Sequence, residues 1–311
     1  MPFIESREKK KIWAGTRSVL EVDNYKHRRN GKKSRSNWSR FEYMVRQSVP
    51  LLKMVHLYER GYQNAKEIVL ERVVLDFPDL PEAFDGYKVL HLTDLHLDCV
   101  EGIEDRICDR LKDCQYDLCV FTGDYREQMH GHFKQILEPM KKIVTSVTAG
   151  DGIFAILGNH DTYLMVNHFE SMGLRVLANE TVYVARGKDR LAITGLDDTY
   201  AYYTDQAIHA LDEDIDGFKI ALVHSPELYD VAAENGYRLY LCGHTHGGQI
   251  CLPGGMPIIT HSYEGRQFYR GLWEYLNMKG YTSQGCGASG IPIRFNTNSE
   301  ITLFTFRRQK G

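Results

Sequence analysis

Tyr87-Lys88-Val89-Leu90-His91-Leu92-Thr93-Asp94-Leu95-His96 is a short apolar run that stops abruptly in an acid and a histidine. The theme recurs four times. Leu118–Phe121 runs into Thr122-Gly123-Asp124, and residues 153–157 run into Gly158-Asn159-His160-Asp161. Residues 218–223 lead to His224-Ser225-Pro226, and Leu239–Cys242 leads to Gly243-His244-Thr245-His246-Gly247-Gly248. Continuous apolar runs of this length read as strands buried on both faces. Helical spacing over Ile103–Leu111 and over 133–144 falls between them, which predicts a layered α/β protein. A further strand is expected at 68–75, and the main domain is expected to span 65–311.

Ligands of open α/β sheets bind beyond the carboxyl ends of the strands. If the five runs share a direction, their tips bring two aspartates, one asparagine and four histidines to one cleft, with His160 and Asp161 beside them. Each tip has a plain alternative. Asp-x-His can cap a helix, Gly-Asp is a common turn, and a histidine before Ser-Pro is commonly a surface residue. All five together do not reduce to accidents. Oxygen and imidazole donors without thiolate suit Mn²⁺, Zn²⁺ or Fe²⁺. Seven such groups are too many for one ion, but suffice for two ions about 3.5–4 Å apart that share a carboxylate.

The ordered set D-x-H, G-D, G-N-H-D, H and G-H-x-H, across roughly residues 66–305, resembles the calcineurin-like metallophosphoesterase superfamily. Gly243–Ile250 with Pro253, and Gly285-Cys286-Gly287 leading to Pro292-Ile293-Arg294, look like a bacterial branch. That branch contains phosphodiesterases and UDP-2,3-diacylglucosamine hydrolases. The resemblance implies a four-layer α/β/β/α sandwich. It also implies one metal on Asp94, His96, Asp124 and His246, and another on Asp124, Asn159, His224 and His244. Asp124 would bridge, and His160, oriented by Asp161, would stand near the scissile phosphate. Two such cations, Mn²⁺ being favoured, acidify a water and neutralise phosphoryl oxygens. Arg294 is a candidate phosphate contact, an ordinary salt bridge being the alternative. His130 and His132, which follow Asp124 closely, are candidates for the cleft rim, and the other histidines read as core or surface.

The chain has 311 residues, 43% hydrophobic and 25% charged, as in ordinary globular proteins. Its seven cysteines form no C-x-x-C pair and read as reduced thiols. The amino terminus lacks a signal-peptide core, and no apolar stretch is long enough to span a bilayer. A cytoplasmic address is expected.

Charge is uneven. Residues 1–50 carry 13 basic and 5 acidic side chains, whereas the whole chain has net charge −3. Residues 1–36 read as a flexible basic arm, with Lys32-Lys33-Ser34-Arg35-Ser36 the least foldable part. Trp38, Phe41, Met44 and Val45, with Arg40 and Arg46, then form a basic amphipathic pattern. Within an extension spanning 1–64, that pattern suits packing on the main domain or a second subunit. It equally suits docking on the inner face of a membrane. The acidic main domain argues against nucleic acid, and nothing in the sequence fixes an oligomeric state. The expected substrate is a lipid-linked phosphate, UDP-2,3-diacylglucosamine, cleaved to UMP and a lipid monophosphate. The alternative is a small soluble phosphodiester, and a scaffold without turnover is the third reading.

Overall fold

The computed structural model describes residues 2–29, 38–112, 114–258, 260 and 265–309. Among the described residues, twelve strands make two six-stranded sheets. They are β1 (Ile68–Phe77), β2 (Lys88–Leu92), β3 (Leu118–Phe121), β4 (Ile153–Ala155), β5 (Arg175–Val176) and β6 (Glu180–Arg186). There follow β7 (Asp189–Gly195), β8 (Phe218–Leu222), β9 (Leu239–Cys242), β10 (Gly271–Tyr275), β11 (Met278–Thr282) and β12 (Ser299–Arg308). One sheet has the order β1-β12-β2-β3-β4-β5 and the other β10-β11-β9-β8-β7-β6. Strands β2 to β5 are parallel, as are β7, β8 and β9. The five runs read from sequence are therefore real strands, split between two sheets.

Side-chain alternation along these strands builds three apolar layers. Val89, Val120 and Phe154 face Ile220, Leu239 and Leu241 between the sheets, with Phe304 and Phe306 of β12. Their neighbours Leu90, Phe121 and Ala155 point the other way. They meet α4 (Ile103–Leu111), α5 (Leu137–Ser146) and α6 (Val166–Ser171). On the far side Ala192, Ala221 and Tyr240 meet α7 (Asp205–Asp212) and α8 (Tyr229–Glu234). The result is the four-layer α/β/β/α sandwich. All seven cysteines are free, in keeping with their reading as thiols. No helix among the described residues is long and apolar enough to cross a membrane.

The amino-terminal region departs from expectation. Residues Pro2–Arg29 form one helix, α1, rather than a flexible arm. Lys10, Trp13, Arg17 and Glu21 lie on one face, at steps of three and four, and bond the main body. Lys10 pairs with Glu170, and Trp13 Nε1 donates to Asp197 at 2.7 Å. Glu21 accepts from Thr162 Oγ1 at 2.7 Å and from the Tyr163 amide at 2.9 Å. Trp13 also packs on the first core layer, but its neighbours on this face are charged, so no apolar stripe announces it. Lys32–Ser36 lie outside the described residues.

Helices α2 (Trp38–Met54) and α3 (Leu57–Lys66) follow. Of Trp38, Arg40, Phe41 and Val45 only the helical backbone is described. Helix α3 packs on the body: a Cβ at Gly61 would stand 2.8 Å from Ile293 and from the Phe295 ring. Asn64 Nδ2 also donates to the Arg294 carbonyl at 2.9 Å. Gly61→Leu should accordingly lower the melting temperature by several degrees, equivalent to about 1–3 kcal/mol of overpacking. An unchanged thermal transition would mean that α3 is not seated there.

Candidate metal centre

Side chains from both sheets reach the site because their tips lie at one end of the sandwich. Asp94 and His96 follow β2, Asp124 follows β3, and Asn159 and His160 follow β4. From the second sheet, His224 follows β8, and His244 and His246 follow β9. The His244 amide donates to both carboxylate oxygens of Asp94, at 3.1 and 3.0 Å, and so ties the sheets together. Asp94, His96, Asp124, His244 and His246 all adopt positive φ, between 39° and 70°. This left-handed region costs about 1–3 kcal/mol per non-glycine residue and is commonly found at functional sites. Here it occurs at five side chains on the three loops after β2, β3 and β9. Gly158 and Gly243 allow the closeness: a Cβ would stand 2.2 Å from an Asp124 oxygen in the first case and 2.2 Å from an Asp94 oxygen in the second.

Among the described residues three groups of donors result, two of them made of the expected ligands and the third of His96, Glu127 and His160. Asp94, His96 and His246 offer ligand atoms within 4.8 Å of one another, and so do Asp124, His224 and His244. His96 Nε2 faces His246 Nε2 at 3.2 Å, and His246 Nε2 lies 3.5 Å from Asp94 Oδ1. His224 Nε2 lies 3.2 Å from Asp124 Oδ2, 3.1 Å from Asn159 Oδ1 and 3.2 Å from His244 Nδ1. Asp124 Oδ2 is also 3.8 Å from His96 Nε2, so this one oxygen stands between the groups. The structure brings all seven residues together and leaves each no more than 5% exposed.

The chemistry of this set fits divalent cations. His96 Nδ1 lies 2.9 Å from the Arg126 carbonyl, and His224 Nδ1 lies 2.7 Å from the Thr122 carbonyl. Carbonyls only accept, so each ring carries its proton on Nδ1 and turns the Nε2 lone pair inward. Lone pairs then face carboxylate oxygens with no proton between them, which repels unless positive charge is added. The pKa values express the same demand. Burial alone pushes His91 down to about 3. Burial lowers His96 and His224 too, yet nearby carboxylates override it and push them up to about 9 and about 10. For His96 the carboxylates are Glu127, Asp124 and Asp94, and for His224 they are chiefly Asp124 and Asp94. Asp94 shows the other side: burial raises its carboxyl despite the adjacent imidazoles.

His160 lies on the rim. Its amide donates to Asp124 Oδ1 at 2.9 Å, and its ring Nδ1 bonds the Glu127 carbonyl. Nε2 is thereby turned to the cleft, 3.9 Å from Asp124 Oδ2, on a side chain 17% exposed. The expected role of Asp161 needs correction. Its carboxylate does not hold the His160 ring; it accepts the amides of Asp124 at 2.8 Å, Tyr125 at 2.9 Å and Gly158 at 2.8 Å. Asp161 therefore braces two loops rather than orienting a base.

Arg294 is corrected as well. It is fully buried and donates to the carbonyls of Gly287, His246, Asn298 and Gln284. Its guanidinium also lies 3.3 Å from His246 Nδ1. With its donors consumed inside the protein, it holds the His246 loop instead of meeting a substrate phosphate. His130 packs edge-on against Tyr25 at 5.0 Å and joins none of the three donor groups, nor does His132.

Three contributors have no place in the sequence pattern above. Glu127 Oε2 lies 3.1 Å from His96 Nδ1, and Oε1 accepts the Gly290 amide at 2.6 Å. A charged residue three positions past Gly-Asp carried no pattern of its own. Asp197 and Asp198, both buried, follow β7 as a sixth tip. The signal was present in Leu191-Ala192-Ile193-Thr194-Gly195, an apolar run that ends in acids as the others do. Replacing Arg294 by Gln should destabilise the fold by about 3 kcal/mol through lost charge-assisted hydrogen bonds. Chemical denaturation would read this; unaltered stability with a raised KM would return Arg294 to the substrate.

The calcineurin-like phosphoesterase family matches residues 87–248, which takes in the tips of β2, β3, β4, β8 and β9. The uncharacterized metallophosphoesterase YkuE of Bacillus subtilis is 31% identical over 241 residues, 73% of this chain and 82% of its own length. YkoQ of the same organism, likewise an uncharacterized metallophosphoesterase, is 25% identical over 264 residues, 82% and 97% of the two chains. Phosphodiesterase YaeI of Escherichia coli is 27% identical over 232 residues, 70% and 81%. With a family match over half its length and a relative above 30% identity, the chain belongs to the calcineurin-like phosphoesterases and is a metal-dependent hydrolase of phosphoesters.

Proposed function

We propose that the protein hydrolyses a phosphodiester or pyrophosphate bond in the cleft formed by the strand tips. In this reading Asp94, His96, Asp124 and His246 hold one divalent cation, and Asp124, Asn159, His224 and His244 hold a second, with Asp124 shared. When bound, two such cations supply Lewis-acid charge and an acidified water for in-line attack. The position of Asp124 Oδ2 between the two donor groups is the observation that carries the assignment.

The chain's own residues do the rest. The Arg126 and Thr122 carbonyls fix the tautomers of His96 and His224, so their Nε2 atoms stay available as ligands. Asn159 adds a neutral oxygen without adding negative charge. His160, anchored through Nδ1, presents Nε2 to the open side, where it can donate a proton to the leaving oxygen. The near-complete burial of the ligands keeps the local dielectric low, which strengthens every charge interaction with the phosphoryl group. Asp124→Ala should lose bound metal, read by elemental analysis, together with turnover of bis-p-nitrophenyl phosphate in Mn²⁺. His160→Ala should retain metal but lose roughly 10²–10⁴-fold in kcat. Loss of metal in His160→Ala would make that residue a ligand instead.

For the substrate, UDP-2,3-diacylglucosamine is favoured over a small soluble diester by the apolar surface near the amino terminus. Tyr43, Met44, Leu51, Met54 and Val55 are exposed on and beyond α2, close in sequence to Arg46 and Lys53. A cavity of about 820 Å³, lined in part by Val19, Val22, Tyr25, Met129 and Leu164, opens beside the 162–164 segment. Such surfaces suit an amphipathic substrate presented at the inner face of a membrane. Incubation with the UDP-lipid should release UMP in an Asp124-dependent manner. Hydrolysis of soluble diesters with no UMP release would establish the alternative.

A further inference from the structure

We propose that Arg17, on α1 and outside the stretch that matches the family, is a positioning residue for the loop 158–161. This rests on the reading above, in which Asn159 serves a cation and His160 the leaving group. Arg17 is fully buried. Its NH2 group donates to the Gly158 carbonyl at 3.1 Å and to the Asp161 carbonyl at 3.1 Å. Those two carbonyls bracket Asn159 and His160. Its NH1 group pairs with Asp197, beyond β7, and Nε lies 3.1 Å from Glu21 Oε1. The guanidinium plane also lies over the Tyr202 ring, 3.6 Å from its centroid.

The loop is thus held from two sides. From within, the Asp161 carboxylate gathers the amides of Gly158, Asp124 and Tyr125. From outside, one guanidinium nitrogen closes the ends of the turn, while the other fastens them to the tip of the opposite sheet. Only a planar, multivalent cation can do both, because a lysine ammonium is a single point donor. Without Arg17 the Asp161 carbonyl loses its donor, the Gly158 carbonyl keeps only the Asp161 amide at 3.3 Å, and buried Asp197 loses its countercharge. The loop would then shift, carrying Asn159 away from His224 and the His160 ring away from the leaving group. A displacement of about 1 Å is enough to cost about a hundredfold in rate.

The test compares the full-length protein with Arg17→Lys, Arg17→Gln and Trp13→Phe. The last removes the other hydrogen bond from α1 to Asp197 without touching the loop. Hydrogen–deuterium exchange over residues 156–163 is measured on metal-free protein. Turnover of bis-p-nitrophenyl phosphate is measured with Mn²⁺, and thermal unfolding of all four proteins is followed. In Arg17→Lys, loop amides should exchange at least about tenfold faster. Its kcat should fall about tenfold to a hundredfold with KM nearly constant. Trp13→Phe should lower the melting temperature yet leave loop exchange and kcat near wild type. If Arg17→Gln does not fold, Arg17→Lys decides. Wild-type exchange and kcat in the Arg17 variants would overturn the proposal, as would equal losses in Trp13→Phe. An inactive wild type would remove the phosphoesterase reading, while the exchange measurement would still decide the role of Arg17.

Discussion

Lone pairs that face one another in a nearly dry space are the condition to which this molecule answers. Imidazole nitrogens of His224 and His96 stand 3.2 and 3.8 Å from Asp124 Oδ2, and His224 Nε2 stands 3.1 Å from the Asn159 amide oxygen. Left alone, such groups would turn away or draw in water. They are prevented by a scaffold that is stiff where they are attached. Ligands come from two packed sheets, and the sheets cannot separate without tearing the inter-sheet apolar layer formed by residues such as Val120, Phe154, Ile220 and Leu241. Hydrophobic burial far from the cleft therefore holds together a cluster that electrostatics alone would disperse.

The same opposition explains the backbone. Left-handed conformations at Asp94, His96, Asp124, His244 and His246 are unfavourable one by one. They persist because amides nearby are recruited as clamps: His244 to Asp94, His160 to Asp124, and three separate amides to Asp161. Carboxylates thus serve twice, as candidate ligands and as hydrogen-bond acceptors that lock the loops presenting them. The histidines show what the surroundings decide. His91 and His224 are equally buried, yet one is driven to the neutral form and the other toward the charged form. Only the carboxylates in front of His224 make the difference.

The core of the sandwich and the donor set could be read from sequence because both depend on local order. A buried strand must be apolar, and its tip must carry whatever chemistry the cleft needs. What could not be read depended on distance in the chain or on polar docking. Helix α1 meets the body through Lys10, Trp13, Arg17 and Glu21, a face that looks solvated to any search for apolar periodicity. Arg294 was misjudged because its donors point equally well toward phosphate or toward backbone carbonyls, and only coordinates distinguish them. Asp161 was misjudged because proximity in sequence to His160 suggested contact, whereas the turn sends the two side chains in different directions. Asp197 and Asp198 follow the same rule as the other tips, but Asp189, Arg190 and Thr194 interrupt the apolar character of their strand.

One feature of the first sheet bears on how the polypeptide is made. Strand β12 lies between β1 and β2, and among the described residues β1 has no other strand partner. During synthesis the amino-terminal strand must wait, with Leu75 and Phe77 uncovered, until residues 299–308 have emerged. Closure of the sheet is thereby a late, long-range event, the slow kind of contact in folding. The nascent chain carries an unpaired edge for most of its production, and shielding by a chaperone would matter most in that interval.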